Sequence, residues 1–384
     1  MIGSRGFSRR LAPRHSVVAV ASALALAACS ADGEGEVIPN PRIGQLGDAT
    51  SAEPAPAGSV AGSPGVEAVP VAEGATSAAP QPTAAPVDLE AEDVPAQAPG
   101  EALQYSVAAA GFSCYVALGD SFVSGVGASV VGGPCGASWA AWPFGVQAGL
   151  GNLPITFAAC SGATTQDVVT AMGGLRMRPQ MSMLPPPEHL GSALITIAIG
   201  GNDIKLEQSV RKCFQGASSL SSSLSLAQSA CWDLEQLLNN LTEVVNGALA
   251  PSLDYTFRAL RAAAPSATIV AIGYPHVVDT SSPNCDRTAT GYLLNLSKRQ
   301  RLNQLVDALN AQIKTAAANA GIASIIDPIV AAFQGHEACS ADEWIVSADA
   351  LLRTGNFGVG HPNDAGYRAY ANAVLRALPT VTTR

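Results

Sequence analysis

The 384-residue chain has few charged residues, no metal-ligand spacing and no apolar run long enough to span a bilayer. Only 13% of its residues are charged, and residues 105–384 carry 16 basic against 18 acidic side chains. A nearly neutral region without a basic stripe argues against nucleic acid as a partner. Because C-x-x-C and H-x-x-x-H spacings are both missing from the sequence, we expect no metal site and no cofactor.

The N-terminus has the pattern of an export signal. Arginines at positions 5, 9, 10 and 14 precede the apolar run Val17–Ala28, which is too short to cross a membrane. The run ends in Leu26-Ala27-Ala28-Cys29, which resembles a bacterial lipobox, where the cysteine is lipidated and begins the mature protein. An ordinary signal peptide that contains a cysteine is the alternative. We predict a lipoprotein signal peptide over residues 1–28 and export to the outside of a bacterial membrane, lipid-anchored at Cys29 or secreted.

Residues 29–108 lack any pattern that could bury a face. They consist mainly of Ala, Pro, Gly, Val and acids, and neither helical nor strand periodicity is present. We predict a disordered, acidic linker here, and a single folded domain over residues 109–384.

That domain alternates short apolar runs with amphipathic segments. The apolar runs are Cys114–Leu118, Ile155–Ala158, Leu194–Ile199, Thr268–Ile272 and Ile322–Ile326. Helical spacing is clearest over Leu234–Ala250, Asn295–Ala318 and Ala365–Leu378. Continuous apolar strands separated by helices predict a mostly parallel sheet covered on both faces, a doubly wound, flavodoxin-like three-layer α/β/α sandwich. Its active site is expected at the carboxyl ends of the strands.

Three of the predicted strands end in glycine-containing turns with polar side chains. The first is followed by Gly119-Asp120-Ser121, the second by Cys160-Ser161-Gly162, and the third by Gly201-Asn202-Asp203. A serine hydroxyl, a bare backbone N–H at Gly162 and the Asn202 amide would converge at one edge of the sheet. Taken alone, Gly119-Asp120-Ser121 is explained equally well by a helix cap.

His361 opens the turn His361-Pro362-Asn363-Asp364 before the last predicted helix. Most single histidines are surface or core residues without chemistry. The predicted fold, however, places this one at the same edge of the sheet as the three polar turns, which favours a catalytic role.

The four ordered blocks resemble those of the SGNH (GDSL-type) hydrolases, in particular the secreted actinobacterial lipase and esterase branch. Gly273-Tyr274-Pro275 also looks like that branch. The resemblance implies a carboxylic ester hydrolase acting through an acyl-enzyme, with Ser121 as nucleophile and His361 as general base. It further implies that the Ser121 N–H, Gly162 and Asn202 bind the oxyanion.

The sequence departs from the family at one position. Members usually carry an aspartate three residues before the histidine, and here that residue is Gly358. Since some members use a backbone carbonyl instead, we predict that the Gly358 carbonyl accepts from His361 Nδ1–H. Asp364 is the rival acid, although its place in the turn favours a cap of the last helix.

An exported chain is expected to form disulfides, and the resemblance implies sequential pairing of Cys135 with Cys160, Cys213 with Cys231, and Cys285 with Cys339. Cys114 would remain as a buried thiol. Trp139, Trp142 and Phe144 are candidates for an acyl pocket, with ordinary core packing as the simpler interpretation. His336 is another candidate for the pocket, although a structural role is favoured.

The ester substrate is a small molecule or lipid, and the protein is expected to be a monomer. The alternatives are a cell-envelope carbohydrate acyl esterase, an acyltransferase and, from another class, an inactive binding domain.

Overall fold

A computed structural model describes residues 111–170, 178–218, 231–240, 243–356 and 358–382. The predicted signal peptide, Cys29 and the predicted linker lie outside the described residues. Within the described ranges, no helix combines the length and the apolar character needed to cross a membrane.

Five strands form a parallel sheet at the centre of the described residues. They are β1 (Cys114–Gly119), β2 (Ile155–Phe157), β3 (Ala193–Ala198), β4 (Thr268–Ile272) and β5 (Ala323–Ile325). Their order is β2-β1-β3-β4-β5, and all neighbouring strands are parallel. Every residue of β1 and β3 is buried, because both faces of the sheet are covered. The five strands predicted from apolar runs are confirmed, with small differences at their ends.

Helices form a layer on each face of this sheet. They are α1 (Ser121–Ser124), α2 (Trp142–Gly149), α3 (Thr165–Val169), α4 (Leu206–Ser218), α5 (Trp232–Asn239), α6 (Ala250–Ala263), α7 (Ala289–Leu293), α8 (Leu296–Asn319), α9 (Asp327–Phe333), α10 (Ala348–Thr354) and α11 (Asp364–Thr382). Helix α11 packs against α2 and α9, whereas α6 packs against α3 and α8. The predicted three-layer α/β/α architecture is confirmed.

The strand order determines where a site can form. The chain runs from β1 outward to β2 and then returns to β3 on the other side of β1. In such doubly wound sheets, the crevice lies at the carboxyl ends of the two strands where the order reverses. Here these ends are Gly119 and Ala198, directly before the blocks that contain Ser121 and Asn202.

The helix predicted over Leu234–Ala250 is divided in the structure. Helix α5 ends at Asn239, and a π-helical turn over Val244–Leu249 leads into α6. Asparagine side chains compete for backbone groups and weaken a helix interior, and Asn240 donates from its side chain to the Gln236 carbonyl at 3.1 Å.

Three disulfides join Cys135 to Cys160, Cys213 to Cys231, and Cys285 to Cys339. These are the pairs that the family resemblance implied. Cys114 is fully buried in β1, as its place in an apolar run predicts.

Candidate active site

Ser121 stands at the first position of α1, immediately after β1. Asp120 caps this helix, since its Oδ1 accepts from the Phe122 N–H at 3.0 Å. Gly119 has φ +145°, and a Cβ there would lie 2.4 Å from the Ala198 carbonyl oxygen. Only glycine therefore lets β1 approach β3 so closely while turning the chain to present Ser121.

Ser121 and His361 are in hydrogen-bond contact. The distance from Ser121 Oγ to His361 Nε2 is 2.8 Å, although the two residues are 240 positions apart in sequence. Both are almost fully buried, with exposures of 1% and 2%. A hydroxyl bonded to an imidazole nitrogen can lose its proton to that nitrogen as it attacks an electrophile.

The other imidazole nitrogen faces a backbone carbonyl. The Gly358 oxygen lies 3.3 Å from His361 Nδ1 and also accepts from the His361 backbone N–H at 2.9 Å. Asn356 holds this loop, because its Oδ1 accepts from the Gly358 N–H and its Nδ2 donates to the Gly127 carbonyl, both at 2.9 Å. Sequence analysis missed Asn356, since a single loop asparagine carries no distinguishing pattern.

A close backbone contact accounts for glycine at position 358. A Cβ on Gly358 would lie 2.3 Å from Gly127 Cα and 2.5 Å from Gly127 N. No side chain fits between these two segments, so the aspartate usual in the family cannot occupy this position here.

Sequence analysis considered Asp364 as the acid for His361 or as the cap of the last helix, but its carboxylate has a different partner. Its Oδ1 accepts from the Ser129 N–H at 2.9 Å, tying the loop after Ser121 to the start of α11. The cap of that helix is Asn363, whose Oδ1 accepts from the N–H groups of Ala365 and Gly366 at 3.0 Å. The prediction that Asp364 caps α11 is therefore wrong by one residue.

The turns with Gly162 and Asn202 lie against each other. Asn202 Nδ2 donates to the Ala163 carbonyl at 2.9 Å, and this uses one of its two amide hydrogens. Gly162 has φ +81°, a left-handed conformation that favours glycine. Within the described ranges, no acceptor is recorded for the backbone N–H of Ser121 or of Gly162.

Asp203 links the turn that contains Asn202 to the residues that follow Gly162. Its carboxylate accepts from the Thr165 hydroxyl at 2.5 Å and from the Thr165 N–H at 3.0 Å. Burial raises the pKa of Asp203, an effect that these bonds oppose. Sequence analysis placed Asp203 in the block Gly201-Asn202-Asp203 without assigning it a role. In the structure, Asp203 holds the start of α3 against the segment that follows β3.

A narrow, apolar cavity of about 40 Å³ reaches Ser121. Besides Ser121, Asn202 and His361, its walls include apolar side chains from α1, α4, α8 and two loops, namely Phe122, Leu206, Val210, Val277, Val306, Leu309 and Val359. This volume holds only a few water molecules. A larger acyl group therefore requires these side chains to move apart.

The aromatic residues considered for an acyl pocket lie elsewhere. Trp142 is buried and stacks on Tyr370 at 5.3 Å, while Phe144 stacks on Phe157 and contacts the Trp139 ring at a tilt. They do not line the cavity at Ser121. Core packing, the simpler interpretation, is confirmed for Trp142, whereas Trp139 is exposed and Phe144 is half-buried. His336 stacks on Trp344, also outside this cavity.

The sequence matches the model of the GDSL-like Lipase/Acylhydrolase family over residues 117–369. The chain belongs to this family. It is a carboxylic ester hydrolase of the actinobacterial lipase branch.

Two curated relatives of this GDSL-like hydrolase are lipases from Streptomyces. Lipase 1 of Streptomyces coelicolor is 32% identical over 257 residues, which cover 66% of this chain and 81% of the relative. A lipase of Streptomyces rimosus is 29% identical over 263 residues, covering 67% and 85%.

Two solved structures share the fold of the GDSL-like hydrolase. The extracellular lipase from Streptomyces rimosus superposes with a TM-score of 0.53 and 27% identity, covering 70% of this chain and 99% of the lipase. The phospholipase A1 from Streptomyces albidoflavus gives a TM-score of 0.52 and 30% identity, covering 70% and 98%.

The Cys135–Cys160 disulfide bears directly on this site, since the Ser161 N–H also donates to the Cys135 carbonyl at 2.9 Å. Replacing both cysteines by serine should lower the free energy of unfolding by about 3 kcal/mol. It should also lower kcat, because the Gly162 turn loses its tie to the loop after α1. Urea unfolding and ester hydrolysis measure the two effects.

The control for that variant is removal of the Cys213–Cys231 bridge, which closes a loop of similar length. It should destabilise the protein comparably while kcat is retained. Equal kcat values in the two variants would show that the first bridge only stabilises the fold.

Proposed function

We propose that this enzyme hydrolyses carboxylic esters with apolar acyl chains through a Ser121–His361 mechanism. The contact of 2.8 Å between Ser121 Oγ and His361 Nε2 carries the proposal. Ser121 Oγ attacks the ester carbonyl carbon as its proton passes to Nε2. The imidazolium then protonates the departing alcohol, leaving an acyl-Ser121 ester. Water, deprotonated by His361, attacks this ester and releases the acid.

The Gly358 carbonyl fixes the tautomer of His361. Accepting from Nδ1–H leaves Nε2 without a proton and ready to act as a base. The carbonyl carries no formal charge, so it orients the ring while stabilising the imidazolium less than a carboxylate would.

Three donors are proposed for the oxyanion: the N–H groups of Ser121 and Gly162 and the second amide hydrogen of Asn202. Replacing Asn202 by alanine should lower kcat on the order of 10² to 10³-fold with little change in KM, since the donor acts mainly on the transition state. Steady-state kinetics measure this. Asn240→Ala, on the exposed end of α5, is the matched control, and an Asn202 variant as active as this control would remove Asn202 from the site.

The cavity supports an apolar acyl group. Val210, Val277, Val359 and Gly360 line both the cavity at Ser121 and a second, smaller one behind it. The second cavity is walled by further apolar residues, among them Val278, Leu294, Leu302 and Val346. The shared residues place the two cavities next to each other, so movement of these side chains would join them into one apolar path from Ser121 that suits the hydrocarbon tail of a fatty-acid ester. The names of the relatives, lipases and a phospholipase A1, are consistent with such substrates.

Val210 lies at the junction of the two cavities, so a larger side chain there should shorten the accepted acyl group. Val210→Trp is expected to lower kcat/KM for p-nitrophenyl palmitate by about tenfold or more while the acetate ester is hydrolysed within a few-fold of wild type. Leu352→Trp, at an exposed position on α10, controls for the added indole. An unchanged chain-length profile would place the acyl group elsewhere.

We further infer export and a lipid anchor at Cys29. Export is supported by the disulfides in the described domain and by similarity to an extracellular lipase. The lipobox-like Leu26-Ala27-Ala28-Cys29 supports the anchor. Metabolic labelling with a fatty acid, compared between wild type and Cys29→Ala, tests the anchor; label retained in the variant would contradict it.

Hydrolysis of p-nitrophenyl esters from acetate to palmitate by the full chain tests the proposed substrate. Turnover that rises from the acetate to longer acyl groups is the expected result. Activity confined to acetate would instead favour a carbohydrate acetyl esterase, and no activity at any length would contradict the proposal.

A further inference from the structure

The carboxylate of Asp120 is buried beside Ser121 but has no role in the mechanism proposed above. Asp120 is 1% exposed. Its Oδ1 accepts from the Phe122 N–H at 3.0 Å, and its Oδ2 accepts from the Tyr274 hydroxyl at 2.6 Å. Donors on both oxygens, one of them at a helix N-terminus, favour the ionised carboxylate.

Tyr274 is held in place to make this bond. Asn310 on α8 accepts from the Tyr274 N–H and donates to the Tyr274 carbonyl, both at 2.8 Å. Burial and the charge of Asp120 raise the pKa of Tyr274 well above its usual value, so the phenol keeps its proton and remains a donor. The backbone of Gly201, next to Asn202, also faces this hydroxyl.

Asp120 and His361 face a common apolar space. Both line the cavity at Ser121, and the Phe122 ring lies 5.1 Å from the Tyr274 ring and 4.9 Å from the imidazole. Charges separated by apolar rings rather than by water interact more strongly than exposed charges at the same distance.

The other ionisable groups at this edge are engaged elsewhere. Asp203 is bonded to Thr165, Asp364 to the Ser129 N–H, and Asp167 to Thr164. Tyr367 and Tyr370 of α11 face Asp120, and burial together with its charge raises their pKa well above the usual range.

We propose that Asp120, held by Tyr274, supplies the negative charge that stabilises the imidazolium of His361 and thereby serves in place of the carboxylate that Gly358 excludes. Asp120 touches neither substrate nor imidazole in this account and is a positioning residue. The inference rests on the proposed Ser121–His361 mechanism.

Asp120→Asn tests the charge while keeping the shape and the acceptor for the Phe122 N–H. A negative charge favours the protonated imidazole, so its removal should lower the pKa of His361. The acid limb of the kcat/KM profile should move to lower pH by about 0.5 to 1 unit. The NMR titration midpoint of the His361 imidazole, assigned by its loss in His361→Ala, should fall by the same amount.

Tyr274→Phe removes the donor to Asp120 Oδ2, which raises the pKa of this buried carboxyl so that it carries less charge while His361 titrates. It should therefore shift the acid limb in the same direction as Asp120→Asn, by a smaller amount. If Tyr274 acts through Asp120, the double variant should shift no further than Asp120→Asn alone. The controls on α6 are Asp254→Asn, at a half-buried surface position, and Tyr255→Phe, at an exposed position. Both should leave the acid limb at the wild-type pH. Should Asp120→Asn fail to fold, Tyr274→Phe still reports the shift.

Two results would overturn the inference. One is a lower kcat with an unchanged acid limb and an unchanged imidazole midpoint, since Asp120 would then only cap α1. The other is an effect of Tyr274→Phe that adds fully to that of Asp120→Asn. A wild-type protein without esterase activity would instead overturn the proposed function, and the imidazole midpoint would still decide the role of Asp120.

Discussion

Ser121→Ala is expected to lower kcat for p-nitrophenyl esters on the order of 10⁴ to 10⁶-fold. The hydroxyl that contacts His361 Nε2 at 2.8 Å is the nucleophile of the acylation step, so the acyl-enzyme cannot form without it. The hydroxyl is small and the site is already buried, so the variant should unfold at nearly the same urea concentration as wild type.

The matched control is Ser129→Ala. Ser129 is exposed on the loop after α1 and bonds Asp364 through its backbone N–H, which the substitution keeps. It should retain wild-type kcat. Substantial hydrolysis by Ser121→Ala would contradict the account, because the nucleophile would then have to be a water activated by His361 or another side chain.

Gly358→Asp is expected to inactivate the enzyme even though it restores the residue usual in the family. The new Cβ would lie 2.3 Å from Gly127 Cα, so the loop must shift and carry the carbonyl away from His361 Nδ1. A displaced orienting group leaves the imidazole in the wrong tautomer or geometry. We expect kcat to fall by about 10³-fold or more and the free energy of unfolding by about 3 kcal/mol.

Gly191→Asp serves as the control, because nothing lies within 4 Å of a Cβ at that glycine. It should be close to wild type in both measurements. If Gly358→Asp were instead as active as wild type or more so, a side-chain carboxylate would fit beside His361, and the backbone-carbonyl account would be wrong.

Much of the fold and the polar blocks could be predicted from sequence, because both depend on short-range patterns. Uninterrupted apolar runs predict buried parallel strands, and the carboxyl ends of such strands meet at one edge. Ser121 and Asn202 each follow a strand directly, so their convergence follows from the fold alone.

Long-range contacts of small residues could not be predicted in this way. Gly127 excludes a side chain at Gly358 only because two distant loops meet. The bond between Asp120 and Tyr274 likewise spans 154 positions. For the same reason the sequence alone does not distinguish an acyl pocket from the core as the place of Trp142. In the structure it stacks on Tyr370 where α2 packs against α11.

The most direct test of the central claim is covalent labelling of the wild-type protein by a fluorophosphonate, followed by mass spectrometry of its peptides. Such probes react only with a serine activated by a neighbouring base. The account predicts one adduct per chain, on Ser121, and its loss in His361→Ala. An adduct on another residue, or ester hydrolysis that continues at full rate with Ser121 unlabelled, would contradict it.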